Sequence, residues 1–277
     1  MSIKSYILRG LQYIIKGTPV YEIKVSVSYS RPHHRLDGKK ILVTGGGHGL
    51  GLAMARKFVD EGASVIIAGR DESVLESSSN TIGCSFQRLD LQDVASLESF
   101  ISQVWESLGG IDCLVNNAGV SLHEHSFLDV GIDDFDTQFG TNLRGTYFLT
   151  QYFLAKYLKE KKRGGSILFV SSERGMMVDD LPYGISKAAI NSFAQGLAVN
   201  YIKEGIRVNV IAPGVTASDM TGVRSDGNLY RESQMTKRVY LPEEVAESAC
   251  FLLSDDSMLI NGQILVCNEG KSINFKR

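Results

Sequence analysis

The sequence predicts a doubly wound α/β domain built on a parallel β-sheet, and three observations carry that expectation. Short apolar runs recur from Lys40 onward, at 41–43, 65–67, 114–115, 167–170, 208–211 and 264–266, each rich in β-formers and too short for a helix. The stretches between them, such as 50–61 and 183–203, place apolar residues at helical spacing. The runs are uninterrupted rather than alternating, which fits strands buried on both faces beneath layers of helices. Without internal repeats or a long Pro/Gly/Ser linker, residues 38–277 read as one domain carrying about seven strands.

Residues 1–37 differ from this body. Ile3, Tyr6, Ile7, Leu11, Ile14 and Ile15 share a helical face. After Gly17-Thr18-Pro19 the period changes to two: Tyr21, Ile23, Val25, Val27 and Tyr29 alternate with Glu22, Lys24, Ser26, Ser28 and Ser30. A helix followed by a half-buried strand is expected there. Charge divides the chain in the same way. The 277 residues carry a formal −2, yet residues 1–40 hold eight basic side chains against two acidic ones, a net +6 that leaves −8 on the remainder. The alternating strand exposes an apolar row unless something covers it, so the extension is expected to pack on its own acidic body or on a neighbouring subunit.

Composition narrows the function class. With 43% hydrophobic and 22% charged residues and five prolines, the chain is neither disordered nor collagen-like. The near-balanced total charge argues against nucleic acid as the main partner. Cys84, Cys113, Cys250 and Cys267 are scattered without Cys-x-x-Cys pairing or His neighbours, so neither a disulfide framework nor a metal site is signalled. No apolar stretch approaches the ~18–20 residues that span a bilayer, and Lys4 and Arg9 interrupt any secretory apolar core. A cytoplasmic protein without stable membrane insertion is expected.

Directly after the first strand, Thr44-Gly45-Gly46-Gly47-His48-Gly49-Leu50-Gly51 opens a helix. Glycines there let the backbone turn tightly and approach a pyrophosphate, whose charge is met by N–H groups at the helix N-terminus. A strand before and a helix after make this a dinucleotide loop, and the missing Gly-Lys-Ser/Thr argues against a nucleoside-triphosphate P-loop. The second strand ends Ala68-Gly69-Arg70. A carboxylate at its end would hold the ribose hydroxyls of NAD, whereas a guanidinium there can pair with the 2′-phosphate of NADP. Asp71 and Glu72 follow closely, but Arg70 favours NADP(H) over NAD(H).

Further motifs fall in order: Asp90 after the third strand, Asn116-Asn117-Ala118-Gly119, Asn142 in a helix, Ser171-Ser172 after a strand, Tyr183-Gly184-Ile185-Ser186-Lys187, and Pro213-Gly214-Val215-Thr216-Ala217-Ser218. In combination they resemble the short-chain dehydrogenase/reductase family, in its compact single-domain branch. The resemblance runs from residue 38 to about 270 and does not reach residues 1–37. It implies a Rossmann-type fold, reversible hydride transfer between a nicotinamide and a small carbonyl or alcohol substrate, and a homotetramer or homodimer.

The residue chemistry agrees. A phenol with a reference pKa near ~10 needs a nearby cation to act as acid and base at neutral pH, and Lys187 lies one helical turn beyond Tyr183 on the same face. By resemblance Lys187 also bonds the nicotinamide ribose, Ser172 bonds the substrate oxygen, and Asn142 holds a water in the proton path. Ser171 competes with Ser172 for the serine role. Resemblance further implies that Asp90 and Leu91 flank the adenine, that Asn117, Ala118 and Gly119 line the ribose and pyrophosphate, and that Pro213, Gly214 and Val215 run along the nicotinamide. Ser218 stands where the family has Thr. Near the C-terminus, Asn268-Glu269-Gly270 departs from the family's Asp-Gly-Gly.

The resemblance implies a substrate pocket built from residues 121–127, 173–182 and 221–240, which contain His123, Glu124, His125, Glu173, Arg174, Asp179, Asp180 and Arg224. That polarity suggests a sugar, cyclitol or hydroxy acid, although Met176, Met177 and Leu181 point the other way. A 3-oxoacyl-carrier-protein reductase fits the same motifs, and a catalytically silent nucleotide sensor is the alternative of another class.

Overall fold

The computed structural model describes residues 21–25 and 34–273. The helix expected in residues 1–20 and residues 26–29 of the following strand lie outside the described residues.

Strands β1 (Lys40–Thr44), β2 (Ser64–Gly69), β3 (Ser85–Arg88), β4 (Cys113–Asn116), β5 (Ser166–Val170), β6 (Arg207–Pro213) and β7 (Ile264–Cys267) form one parallel sheet in the order β3-β2-β1-β4-β5-β6-β7. The six apolar runs are β1, β2 and β4 to β7. β3, paired only with β2, has no such run: its Ser85-Phe86-Gln87-Arg88 is largely exposed.

Helices α1 (Gly49–Asp60), α2 (Glu72–Ile82), α3 (Leu97–Leu108), α4 (Ile132–Phe139), α5 (Thr146–Lys159), α6 (Pro182–Tyr201) and α7 (Pro242–Leu253) cover both faces. Their ends carry recognisable signals. Asp71 caps α2 by accepting from the Ser73 and Val74 amides at 3.0 and 3.1 Å, and Gly83 ends it at φ +73°. Pro182 begins α6, where a missing N–H costs nothing.

The sheet separates two apolar cores. One joins Leu114, Ile167 and Phe169 to Phe153 and Tyr157 of α5 and Ile190 and Ala194 of α6; the other joins Val43, Val115 and Leu168 to Met54 and Phe58 of α1 and Ala249 of α7. Each fully buried large side chain contributes roughly 2–3 kcal/mol, so truncating Phe58 or Phe153 to Ala would cost about 3–5 kcal/mol.

The body takes hold of the chain before Lys40. Leu36 is wholly buried, and Arg35 bonds Glu61 at 2.8 Å and Glu247 at 2.9 Å, while Lys57 reaches Glu61 at 3.0 Å. Arg35, counted above with the basic extension, is spent on this buried cluster. Sheet order reverses between β1 and β4, and the cleft opens at the carboxyl ends of those strands.

Candidate active site

The cleft has a volume of about 1770 Å³, and every residue singled out from the sequence for cofactor or catalysis lines it except Asn142. At one end the loop after β1 turns through Gly45 (φ +64°) and Gly49 (φ +54°). A Cβ on Gly51 would lie 2.0 Å from the Gly45 carbonyl oxygen and 2.5 Å from Asn117 Nδ2, so the loop closes only with glycine there. Asn117 fastens it, donating to the carbonyls of Thr44 and Gly45 at 2.9 and 3.0 Å. No side chain caps the start of α1 after His48, so the N–H groups of Gly49, Leu50 and Gly51 remain available at the positive end of a 12-residue helix. This cradle fits a pyrophosphate. Ser218 packs beside it, 3.5 Å from where a Gly49 Cβ would sit.

Farther along, Arg70 at the end of β2 is exposed to the cleft. Asp71 is engaged as the α2 cap, and hydrogen bonds to Ser73 and the Val74 amide hold its carboxyl below the usual range. Arg88 also lines this end. Sequence reading missed it because its place beside Gly69 follows from the pairing of β2 with β3. Asp90 turns its carboxylate onto the Gln92 amide at 3.0 Å, and Leu91 is buried against Gly145, where a Cβ would lie 2.1 Å from the Leu91 carbonyl.

At the other end β5 and α6 bring Ser172, Tyr183 and Lys187 together. Ser171 donates to the Lys187 carbonyl at 3.2 Å, which takes its hydroxyl into the β5–α6 junction. Ser172 instead accepts from the Arg174 amide at 3.2 Å and keeps its hydroxyl proton for the cleft. The loop between Ser172 and Tyr183 is tied by a bidentate pair, Arg174 to Asp179 at 2.5 and 2.7 Å. Gly184 leaves room for that pair, since a Cβ there would meet Asp179 Oδ2 at 1.8 Å.

Lys187 is buried beside Tyr183. Its Nζ donates to the Val170 carbonyl at 2.9 Å and lies 5.7 Å from the Tyr183 ring centroid, and burial brings the ammonium down to about 8. Burial raises the Tyr183 phenol, opposed by the Ser172 hydroxyl and by the charge of Arg174.

Asn142 sits one layer behind the cleft, in a π-helical turn (Gly140–Gly145) between α4 and α5 rather than in a regular helix. Its amide accepts from the Val120 N–H at 2.8 Å and donates to the Val120 carbonyl at 2.9 Å and to Ser186 Oγ at 3.2 Å. A Cβ on Gly119 would come within 3.3 Å of both Asn142 Oδ1 and Lys187 Nζ, so the glycine lets these groups converge.

Of the pocket candidates, His123, Glu173 and Arg174 line the main cleft, and Glu124 and His125 a side pocket reaching Tyr183. Arg224 does neither; it pairs with Asp226 in solvent at 2.9 Å. The altered C-terminal segment reaches the site: Lys271 bonds Glu173 at 2.8 Å and Asn268 bonds it at 3.1 Å. Lys271, Arg231, Ser233 and Gln234 also line the cleft. Residues far apart in sequence meet there, so spacing alone offered no sign of Lys271.

Residues 45–272 match the family model described as enoyl-(acyl carrier protein) reductase. The chain is 34% identical over 246 residues to the 3-oxoacyl-[acyl-carrier-protein] reductase FabG of Aquifex aeolicus, covering 85% of this chain and 98% of that one. It is also 34% identical over 255 residues to the L-rhamnose 1-dehydrogenase (NAD(P)(+)) of Azotobacter vinelandii, covering 86% and 98%. Among solved structures, a short chain dehydrogenase from Burkholderia cenocepacia in complex with NADP superposes with a TM-score of 0.77 at 31% identity, covering 86% of this chain and 99% of the other.

Proposed function

This chain belongs to the short-chain dehydrogenase/reductase family and is an oxidoreductase of carbonyl and alcohol groups; on that premise we propose that it reduces a small polar ketone, such as a sugar, cyclitol or hydroxy-acid derivative, with NADP(H) preferred over NAD(H). The observation that carries this reading is the meeting of Ser172, Tyr183 and Lys187 in the same cleft as the glycine cradle.

The glycine loop, Asn117 to Gly119 and Pro213 to Val215 would hold a nicotinamide cofactor, which would supply the hydride for reduction or take it up in oxidation. Tyr183 donates its proton to the carbonyl oxygen in reduction and recovers one in oxidation. Its raised pKa keeps the phenol protonated at neutral pH, the form that reduction requires. Ser172 donates a hydrogen bond to the same oxygen and stabilises the negative charge developing on it. Lys187 would hold the nicotinamide ribose hydroxyls, and Asn142 holds the Val120 backbone on the flank of the site.

NADP(H) preference is supported by Arg70 and Arg88 at the adenosine end and by the engagement of Asp71 in capping. A polar substrate is supported by His123, Arg231, Ser233 and Gln234 around the far end of the cleft, and by the sugar named for one relative. The second reading, 3-oxoacyl-carrier-protein reduction, is favoured by the name of another relative. Exposed apolar side chains on α5 and α6, among them Tyr147, Ile185 and Val199, support a homodimer or homotetramer, to be read by light scattering. The four unpaired cysteines suit a cytoplasmic location. Among the described residues no helix is long and apolar enough to cross a membrane.

The test is NADPH oxidation against a panel of polar ketones and 3-oxoacyl thioesters, with Tyr183→Phe alongside. Turnover of a polar ketone, reduced about 10²–10⁴-fold in the variant while NADPH still binds, supports the proposal. Turnover of thioesters alone sinks the polar-substrate reading, and indifference to Tyr183→Phe sinks the catalytic one.

A further inference from the structure

We infer that residues 21–25, which lie N-terminal to the catalytic body, act as an added outer strand that holds residues 221–240 over the substrate end of the cleft. The inference rests on the reading of that cleft as the substrate site.

The side-chain amide of Asn228 staples the two segments together. Its Nδ2 donates to the Tyr21 carbonyl at 3.0 Å, and its Oδ1 accepts from the Ile23 N–H at 3.1 Å and from the Tyr230 N–H at 2.9 Å. The Leu229 N–H donates to the Ile23 carbonyl at 3.0 Å. Tyr21 stacks on Tyr230 with ring centroids 5.2 Å apart. Glu22 and Lys24 face outward and pair with each other at 3.1 Å, as a period of two requires.

Backbone bonds continue inward from this staple. Val239 donates to Leu229 at 2.9 Å, Tyr240 to Val215 at 2.9 Å, and Ala217 to Tyr240 at 2.9 Å. One ladder therefore runs from Ile23 to Val215, which follows β6 and lines the cleft. Beneath it lies a small cluster of Ala217, Leu229, Val239 and Leu241, separate from the two main cores, with Val25 packed against it. A cover with so little apolar area of its own sits at the low-stability end of the molecule, so one more strand changes its order appreciably. Arg231, Ser233 and Gln234 follow the stapled residues directly and line the cleft. Tyr21 and Ile23 are thus positioning residues, acting through Asn228 and Leu229.

The experiment uses the full chain carrying Tyr21→Ala with Ile23→Pro, which removes the ring stack and the Ile23 N–H, with Tyr21→Phe as the conservative control. Hydrogen–deuterium exchange is read by mass spectrometry without substrate. The double variant is expected to exchange the Leu229 and Val239 amides about tenfold faster, with β4 and β5 unchanged and Tyr21→Phe like the parent. With a ketone that the panel turns over, KM rises severalfold while kcat and NADPH affinity hold. Unchanged exchange in residues 221–240 overturns the inference, as does equal acceleration throughout the sheet or faster exchange with an unaltered KM. A panel with no turnover defeats the functional reading instead, and the exchange result then decides by itself whether the strand holds the cover.

Discussion

Ser171 donates its hydroxyl proton to the backbone carbonyl of Lys187 at 3.2 Å, fastening the end of β5 to α6 and leaving its neighbour Ser172 to face the cleft. Two adjacent serines thereby divide, one tying strand to helix and the other presenting its hydroxyl to the cleft.

Ser172→Ala is expected to lower kcat about 10²-fold with little change in melting temperature, because it removes a donor to the substrate oxygen. Ser171→Ala is expected to cost about 1 kcal/mol of stability and to retain most activity. Urea denaturation beside steady-state kinetics separates the two; equal activity losses would contradict the division.

Lys187 has an ammonium that burial brings to about 8 from its usual 10.5. A cation depressed in the folded state costs stability below pH 8, a cost relieved as pH rises from about 8 to about 10.5. Carbon-13 NMR of labelled lysines should show one side chain titrating near pH 8 that is missing from Lys187→Met. If every lysine titrates at its ordinary value, the burial argument fails.

Arg70 and Arg88 flank the adenosine end of the cleft. Arg70→Gln and Arg88→Gln should each lower kcat/KM for NADPH about 10-fold or more, and spare NADH, because a charge-assisted bond to phosphate is worth about 1.5–3 kcal/mol. Parallel losses with both cofactors would mean that neither guanidinium reads the 2′-phosphate.

Glu61 is the buried one of two carboxylates, with Glu247, that Arg35 and Lys57 share. Its burial favours the neutral acid, but hydrogen bonds from Arg35 and Lys57 outweigh that and hold the carboxyl at about 2. The stability it supplies is complete above about 4.5 and is lost as pH falls toward about 2. Glu61→Gln should lower stability at pH 7 by about 3 kcal/mol and flatten the acid limb of the melting curve. The difference between the two proteins across that limb is the readout, and parallel curves would remove Glu61 from the account.

How much of this was legible beforehand differs from residue to residue. Five of the six apolar runs marked strands buried on both faces, which have no polar side to interrupt them, and the sixth marked the half-buried edge strand β7, whereas the exposed Ser85-Phe86-Gln87-Arg88 at the other edge gave no such mark. Gly45, Gly49 and Gly51 were legible as a cradle because few other residues tolerate those backbone angles and contacts. Tyr183 and Lys187 were legible as a pair, since a helix brings i and i+4 together. The direction of their electrostatics was not, because burial depends on what packs around the pair.

By itself, then, the sequence determined the α/β class and the glycine loop, which follow from local periodicity and backbone geometry, and its motifs proposed the catalytic residues through family resemblance. Tertiary structure alone decided that Ser171 turns inward, that Arg88 joins Arg70, that Lys271 reaches Glu173, and that Tyr21 and Ile23 meet Asn228. Those are contacts between groups far apart along the chain, and their partners become neighbours only when the sheet sets its strand order and its loops close over the cleft.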